Sequence, residues 1–310
     1  MQRALLYGRI VPAVCGFLLL SLACNLFEKP NPNYVDDYPA WSPDGHTVAF
    51  VRYQGEPGER GLYLVNADGG SPRLVLAGEL ATLCWSPDGR WLVFSVAYGG
   101  RMYKARTNGG SLTPLTDTSD RECFYPDWAK SGLIVFDSNK DDPKGASVLW
   151  TMQPDGSHKR DISQHGVGEW RMPRWSPDGS RIVFSRWYPG GAGEPDLAIV
   201  DSAGKNEVRV LSDTAWDDAP AWSPDGRSIA FCRSESKLGY DSYRISVLDL
   251  DDGSCRYVTE GGAFRPTWSP DSKRICYSYQ QVVVPGDPEI VRGRLWVVDS
   301  DGGNVRQLTH

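Results

Sequence analysis

Trp41-Ser42-Pro43-Asp44-Gly45 is the first of four identical pentapeptides in this chain. Three further identical copies and two altered copies follow: Trp85–Gly89, Trp175–Gly179, Trp222–Gly226, Trp128–Gly132 and Trp268–Ser272. The six tryptophans are 44, 43, 47, 47 and 46 residues apart. A repeat of roughly 40 to 50 residues that contains four short strands is typical of a β-propeller, one blade per repeat. The sequence therefore predicts an all-β fold, a six-bladed β-propeller with four antiparallel strands per blade.

The first repeat shows how one blade is encoded. In Ser42–Gly45 the Pro presets φ, the Asp can bond the backbone two residues on, and the Gly accepts a positive φ, which together predict a tight turn. Two apolar strands follow, Thr47–Val51 and Leu62–Val65, and the Asp-Gly of Asn66–Gly70 predicts a hairpin to a fourth strand at Arg73–Leu76. The third strands of the other blades are predicted at Met102–Ala105, Val148–Met152, Leu197–Val200, Ile245–Leu248 and Leu295–Val298.

The motif residues are interpreted as structural. Each Trp ends an inner strand, where its large apolar ring can pack between neighbouring blades. The turn Asp is a turn former in every copy that retains it. The altered copy Trp128–Gly132 indicates a blade that has diverged in sequence and is not missing.

The first residues have the pattern of a bacterial secretion signal. Arg3 and Arg9 supply a positive start, and the apolar run Ile10–Leu22 is short for a membrane span. The end of the run, with Ala23 before Cys24, resembles the lipobox of bacterial lipoproteins, which implies a signal peptide at 1–23 and acylation (palmitate) of Cys24. An uncleaved anchor and an ordinary signal peptide are the alternatives. We expect a tether at 24–37 and the propeller at 38–310, and Asn25 favours the outer membrane.

Charge and cysteine content limit the partners. The formal net charge is −6, and it becomes −8 when the two arginines of residues 1–23 are removed. Nucleic acid and anionic lipid surfaces are therefore disfavoured as partners. Five cysteines remain after Cys24, and their spacing is not that of a disulfide framework. Buried thiols are expected, with a Cys232–Cys276 disulfide between neighbouring blades as the alternative.

The repeats resemble the TolB-type propeller repeat of bacterial periplasmic proteins. The resemblance rests on Trp222–Gly226 with Ile229–Phe231, and on Asp301–Gly303 with Leu308-Thr309. It extends from about Tyr38 to His310. The TolB protein carries an α/β domain before its propeller, whereas only Asn25–Asp37 stand between Cys24 and the first blade here. The resemblance implies a periplasm-facing propeller that binds another protein. We expect a binding scaffold without catalysis, an envelope protein or a peptide as the partner, no cofactor and a monomer.

Strand direction predicts which face binds the partner. The loops that lead into each blade and the loops between second and third strands lie on one face, opposite the motif turns. Variable loops on a rigid frame commonly carry binding residues, and aromatic and Arg side chains are common at interface hot spots. The loops of this face carry acidic, aromatic and Arg residues, and we expect a channel mouth that binds a basic peptide or a protein. The candidate partner-binding residues are Asp37, Glu79, Glu122, Glu169, Trp170, Arg171, Trp216, Asp218 and Arg265.

Catalytic and metal motifs are sparse. The chain has no Gly-x-Ser-x-Gly elbow and only four histidines, none with the spacing of a paired metal site. Calcium bound by the acids of the channel mouth is an alternative to a site without cofactor or metal. An enzyme that acts on a glycan, with Glu122 and Glu169 as acid and base, or a metal-binding relic of one, is the alternative to a binding scaffold.

Overall fold

Six blades of four antiparallel strands each follow one another along the described residues of a computed structural model, and a bridge joins blades one and six into one eight-stranded sheet. The structure describes residues 34–120, 122–141, 145–163, 168–188, 194–211, 214–236, 240–284 and 287–310, and describes only the backbone of 240, 282–284 and 287–291. The predicted signal peptide, the acylation site and most of the predicted tether lie outside these residues.

Each blade takes its four strands from consecutive sequence. Blade one contains β1 (Val35–Trp41), β2 (Thr47–Tyr53), β3 (Gly61–Asn66) and β4 (Arg73–Ala77). Blade two contains β5 (Leu80–Trp85), β6 (Trp91–Val96), β7 (Met102–Arg106) and β8 (Thr113–Pro114). Blade three contains β9 (Phe124–Trp128), β10 (Ile134–Ser138), β11 (Val148–Met152) and β12 (Arg160–Asp161). The diverged third repeat therefore forms a complete blade, as predicted.

The second half of the ring repeats this order. Blade four contains β13 (Glu169–Trp175), β14 (Arg181–Trp187), β15 (Pro195–Asp201) and β16 (Val208–Arg209). Blade five contains β17 (Trp216–Trp222), β18 (Ser228–Ser234), β19 (Arg244–Asp249) and β20 (Cys255–Tyr257). Blade six contains β21 (Ala263–Trp268), β22 (Arg274–Val284), β23 (Asp287–Asp299) and β24 (Arg306–Gln307). Two 3-10 turns, Pro57–Glu59 and Tyr240–Ser242, complete the described elements.

The first strands form a closed ring around a central channel. They contact one another in the order β1, β5, β9, β13, β17, β21 and back to β1. The six-bladed propeller predicted from the motif spacing is thus confirmed. At the closure, β1 stays in blade one and pairs with β2, and its residue Val35 also makes one parallel bridge to Gly293 of blade six. No strand from the N-terminal side of Val35 is added to blade six within the described residues.

Two predicted boundaries differ from the structure. The first strand begins at Val35, and Tyr34 to Asp37 are buried, so the last part of the predicted tether belongs to the propeller. The Tyr34 hydroxyl donates to the carbonyl of His310, and Arg294 donates to the carbonyl of Tyr34, which fixes this segment against blade six. The third strand of blade six, predicted at Leu295–Val298, begins earlier, at Asp287, and forms a β-hairpin arm with β22, in which Gln281 pairs with Arg292 and Val282 with Val291.

The apolar core is divided into six clusters, one between each pair of neighbouring blades. The second strands place a fully buried phenylalanine at the same register position in five blades: Phe50, Phe94, Phe136, Phe184 and Phe231. Each motif tryptophan packs on the preceding blade. Trp222, for example, lies with Val183 and Leu197 of blade four. The predicted packing role of the motif Trp is therefore confirmed.

The motif turn is held by a repeated set of hydrogen bonds. In blade one Ser42 Oγ donates to Asp44 Oδ1 over 2.5 Å, and the His46 amide donates to the same oxygen. The Thr47 amide donates to Ser42 Oγ, and Gly45 has φ of +77°, which a side chain would strain. These bonds close the turn, and the carboxylate of Asp44 is used within it.

Candidate functional site

The channel has two chemically different ends. We call the end with the loops that lead into the first strands the loop face, and the end with the Ser-Pro-Asp-Gly turns the turn face. Each first strand runs from the loop face to the turn face, so its early residues lie near one mouth and its last residues near the other.

A β-bulge interrupts the middle of the first strand in each blade. The residue before proline in five of these strands has φ between +51° and +54°: Tyr38, Tyr125, Met172, Ala219 and Arg265. Thr82, which is followed by Leu83, completes this bulge ring without a positive φ. A non-glycine residue in the left-handed region costs about 1 kcal/mol or more, so the surrounding contacts must hold it there.

The bulge removes backbone amides from the strand ladder, and side chains accept them instead. The Tyr38 amide donates to Asp37 Oδ1 and the Ala219 amide to Asp218 Oδ1, each over 2.8 Å. The Met172 amide donates to Asp137 Oδ2 of the preceding blade over 2.9 Å. Asp37 and Asp218, both predicted to bind a partner, thus have a backbone partner already.

Asp37 is the centre of a buried network. Its side chain is fully buried and accepts hydrogen bonds from Arg265 Nη1 over 2.5 Å, Gln280 Nε2 over 3.0 Å and the Tyr53 hydroxyl over 3.3 Å. The Arg265 guanidinium also lies over the Tyr38 ring, 4.3 Å from its centroid. Burial alone would lower the pKa of Arg265, but Asp37 and the surrounding tyrosines raise it. The prediction that Asp37 contacts a partner is therefore wrong, because its buried carboxylate does not reach the surface.

Most other acids of the loop face are also paired within the chain. Asp36 forms an ion pair with Arg52 over 2.6 Å, and Asp217 with Arg233 over 3.2 Å. Asp120 accepts from both Lys140 and Lys159 over 2.8 Å. Burial would raise the pKa of Asp120, but these two ammonium groups lower it overall. The expected acidic mouth is therefore largely neutralised from inside the protein.

Several of the predicted charged residues remain partly accessible. Glu79 pairs with Arg60 over 2.5 Å, and Glu122 is exposed and accepts from Asn139. Glu169 and Arg171 have side chains 39% and 42% exposed, and their charged groups are 3.6 Å apart. These exposed fractions leave both groups able to meet a binding partner.

The predicted aromatic residues divide between core and surface. Trp170 is 3% exposed and stacks on Phe184 with ring centroids 4.4 Å apart, so its expected role on the surface is corrected to a core role. Strand alternation explains this, because Trp170 points away from its neighbours Glu169 and Arg171. Trp216 is half-buried and meets the half-buried Trp187 edge to face, with centroids 6.2 Å apart at 82°.

The turn face contains a cavity that the sequence reasoning missed. Its volume is about 300 Å³, and all six motif tryptophans form part of its wall. The six residues of the bulge ring also line it, and the turn residues Pro43, Pro87, Lys130 and Pro224 form its outer rim. The signal that could have identified it is Lys130, which occupies the position of the motif proline in the diverged third copy.

Candidate metal ligands and thiols of the described part of the chain can be located in the structure. Among those residues no group of three or more His, Cys, Asp and Glu side chains is placed to hold a metal ion. Cys232 and Cys276 are separate buried thiols, and burial raises the pKa of both.

Asp137 is fully buried, which raises its pKa to about 7, although Arg171 and Arg174 oppose this. Within the same described residues, no helix is long and apolar enough to cross a membrane.

Comparisons with known proteins agree with this architecture. Residues 166–310 match the family model described as TolB beta propeller domain. An uncharacterized protein of Agrobacterium fabrum is 31% identical over 175 residues, which span 53% of this chain and 58% of that protein. A match to an uncharacterized peptidase of Bacillus subtilis, 27% identical, spans 21% of that protein. The chain therefore matches only part of the length of both curated relatives.

Solved structures extend the likeness over most of the fold. TolB from Acinetobacter baumannii superposes with a TM-score of 0.66 at 18% identity, covering 89% of this chain and 67% of that one. An oligogalacturonate lyase in complex with manganese gives 0.59 at 15% identity, covering 91% and 79%. At these identities the likeness establishes the fold and not the activity.

Proposed function

From its place among the TolB-type β-propellers, we propose that this chain is a non-catalytic scaffold of the cell envelope that binds a protein or peptide partner. The recognition of a TolB-type propeller from the sequence is confirmed by the family match and the structural likeness. The binding function rests on the surface of the loop face. We propose that the protein acts as a monomer, anchored by the lipid predicted at Cys24.

The observation that carries the proposal is one aromatic patch across blades four and five. We define it by five residues: Glu169, Arg171, Trp187, Tyr188 and Trp216. Glu169 pairs with Trp187 across neighbouring strands, and Trp187 meets Trp216 of the next blade. All three aromatic side chains are half-buried, so part of each ring is exposed to a partner while the rest packs against the protein.

The patch is also held in place before any partner arrives. Arg186 lies over the Tyr188 ring at 4.7 Å from its centroid, and Arg209 lies over the same ring at 5.0 Å. The Tyr188 hydroxyl donates to Glu207 over 3.0 Å. Side chains that are already ordered lose less conformational entropy on binding, which favours affinity.

The composition of the patch fits a protein interface. Trp, Tyr and Arg are the residues most often found at binding hot spots, where a few of them supply most of the affinity. The acids expected to attract a basic segment are instead paired with internal cations, as Asp36, Asp120 and Asp217 demonstrate. We therefore propose that aromatic contacts, assisted by Glu169 and Arg171, select the partner.

The test compares variants on the same face. Tagged protein is cross-linked in its own cells, and the captured partner is purified and its affinity measured by calorimetry. Trp187→Ala combined with Trp216→Ala should weaken binding at least about 30-fold, the loss of roughly 2 kcal/mol expected for hot-spot residues. The matched control is Tyr98→Ala, because Tyr98 lies in the loop between the second and third strands of blade two and is 80% exposed. Equal affinity of the double variant and the control would reject the proposal.

A second candidate, a propeller that acts on a glycan, is favoured by one observation. The likeness to an oligogalacturonate lyase covers nearly the whole described fold. Glu122 and Glu169 are two accessible carboxylates of the loop face that could serve as acid and base. Incubation of the purified protein with oligosaccharides, with and without divalent metal, tests this candidate. Product formation that is lost in Glu169→Gln would reject the scaffold proposal in favour of the enzyme.

A further inference from the structure

The cavity at the turn face differs from the rest of that face in charge and in lining. We propose that it binds a small organic anion, a carboxylate that carries an aromatic or similarly flat apolar body. The site lies at the opposite end of the channel from the aromatic patch, so the proposal does not rest on the proposed function. Its support comes from four sets of observations: the diverged turn, the inner cations, the buried carboxyl and the aromatic walls.

The diverged third turn gives the rim a positive charge. Five of the six motif copies have Pro-Asp at the third and fourth positions, whereas the third copy has Lys130-Ser131. This turn has therefore lost a carboxylate and gained an ammonium group. Lys130 is exposed and lines the cavity, and within the described ranges no carboxylate forms an ion pair with it. A cation without an internal partner at the rim of a cavity favours an anionic ligand.

Two arginines add donors deeper in the cavity. Arg265 uses Nη1 to reach Asp37, but its Nε is buried and has no hydrogen-bond partner among the residues described. Arg174 donates from Nη1 to the carbonyl of Pro173 and also lines the cavity. A buried donor without a partner is costly, and a carboxylate oxygen of a ligand would satisfy it.

The negative groups nearby are already engaged. Asp127 lines the cavity, but its Oδ2 accepts the Trp175 amide over 2.7 Å, and burial raises its pKa despite Arg174. The motif carboxylates, such as Asp44 and Asp178, bond Ser hydroxyls and amides inside their own turns. The turns present their prolines to the cavity, and these carboxylates lie outside its lining. Among the residues that line the cavity, Lys130, Arg174 and Arg265 are cationic, and the one carboxylate is that of Asp127.

The walls of the cavity determine which apolar group of a ligand fits. Tyr38 and Tyr125 face each other with ring centroids 6.1 Å apart at 54°, and Met172 lies beside them in the bulge ring. Rings and a thioether pack well against a flat apolar group. A volume of about 300 Å³ lies at the lower end of the range for small-molecule pockets. One ring with a carboxylate therefore fits better than a peptide segment.

The test uses two probes that differ only in charge. Phenylacetate and the uncharged phenylacetamide are titrated into the purified protein at low salt, with the tryptophan fluorescence of the cavity wall and calorimetry as readouts. Phenylacetate should bind saturably and at least tenfold more tightly than the amide. Lys130→Met, which keeps the aliphatic stem, should weaken phenylacetate binding at least fivefold and leave the amide unchanged. Lys273→Met is the matched control, since Lys273 is exposed on the same face outside the cavity lining.

Three results would overturn the proposal: no saturable binding of phenylacetate, equal affinity for acid and amide, or an unchanged affinity in Lys130→Met. Because Lys130 is exposed, its substitution is expected to leave the melting temperature unchanged. Loss of partner binding in the double tryptophan variant of the loop face would have no bearing on any of these outcomes. The two proposals can therefore be refuted independently of each other.

Discussion

Asp137 makes the stability of this propeller depend on pH in a direction opposite to that of most carboxylates. It lies in β10, is 1% exposed, and accepts the Met172 amide from the next blade. Burial raises its pKa to about 7, and Asp218 adds to the rise while Arg171 and Arg174 oppose it. The folded protein therefore holds a proton on Asp137 between about pH 4 and pH 7 that the unfolded chain releases.

The magnitude follows from linkage. A carboxyl with a pKa of about 7 in the folded state and 3.8 in the unfolded state stabilises the protein fully below pH 3.8. That contribution is lost as the pH rises through 7. The loss is about 1.4 kcal/mol per unit of difference, or about 4 kcal/mol in total. Such a change is a large fraction of the stability of an ordinary domain.

Asp137→Asn isolates this contribution. The amide oxygen can accept the Met172 amide as the carboxyl does, but the side chain does not ionise. Urea unfolding of both proteins at pH 4 and pH 8 gives four free energies of unfolding. The stability of the variant relative to the wild type should rise by about 4 kcal/mol between the two pH values. A constant cost of accommodating the amide cancels in this comparison. A difference that stays flat with pH would refute the assignment of the proton to Asp137.

Three further predictions follow from the described contacts. Asp37→Ala should lower the free energy of unfolding by about 3 kcal/mol, because it leaves the Arg265 guanidinium buried without its carboxylate. The double variant Asp37→Ala with Arg265→Met should restore stability if this is the cause. An unchanged urea midpoint of Asp37→Ala would contradict the prediction. Gly204→Ala should cost at least about 2 kcal/mol, because its φ is +77° and a Cβ would lie 1.6 Å from the carbonyl oxygen of Ile162. Gly226→Ala, with φ of +78° and no atom within 4 Å, should cost only the conformational part, and equal urea midpoints would contradict the clash. Cys24→Ala should abolish palmitate labelling and release the protein from the membrane fraction, and retention of both would contradict lipidation.

The six-bladed fold could be predicted from the sequence because each motif residue has one local role. The Ser-Pro-Asp-Gly turns set the register of the strands, and the tryptophans fix the spacing of six blades. The start of the first strand was placed three residues late, because the burial of Tyr34 to Asp37 depends on blade six, distant in sequence. The early start of the third strand of blade six is not predicted from the sequence, because the charged residues between Asp287 and Arg292 give no clear alternation of apolar and polar side chains.

The candidate site was harder to predict than the frame. The charge of a loop residue is visible in a sequence, but its internal partner is not. Asp37 looked like an acid at a channel mouth, yet Arg265, 228 residues away, neutralises it. Trp170 looked like an interface residue beside Glu169 and Arg171, but strand alternation turns it into the core. The motif is regular on most of the turn face, and the third copy, which has neither the Pro nor the Asp, is the copy that places a lysine at the cavity.

The central claim is that a protein partner contacts the aromatic patch of the loop face. It is tested most directly by a photo-reactive phenylalanine analogue placed at Trp216 in the full-length chain and activated in living cells. The account predicts one dominant cross-linked protein adduct from position 216. It predicts none from Tyr257, a partly exposed aromatic residue on the outer strand of the same blade. No adduct from position 216, or the same adduct from both positions, would contradict it.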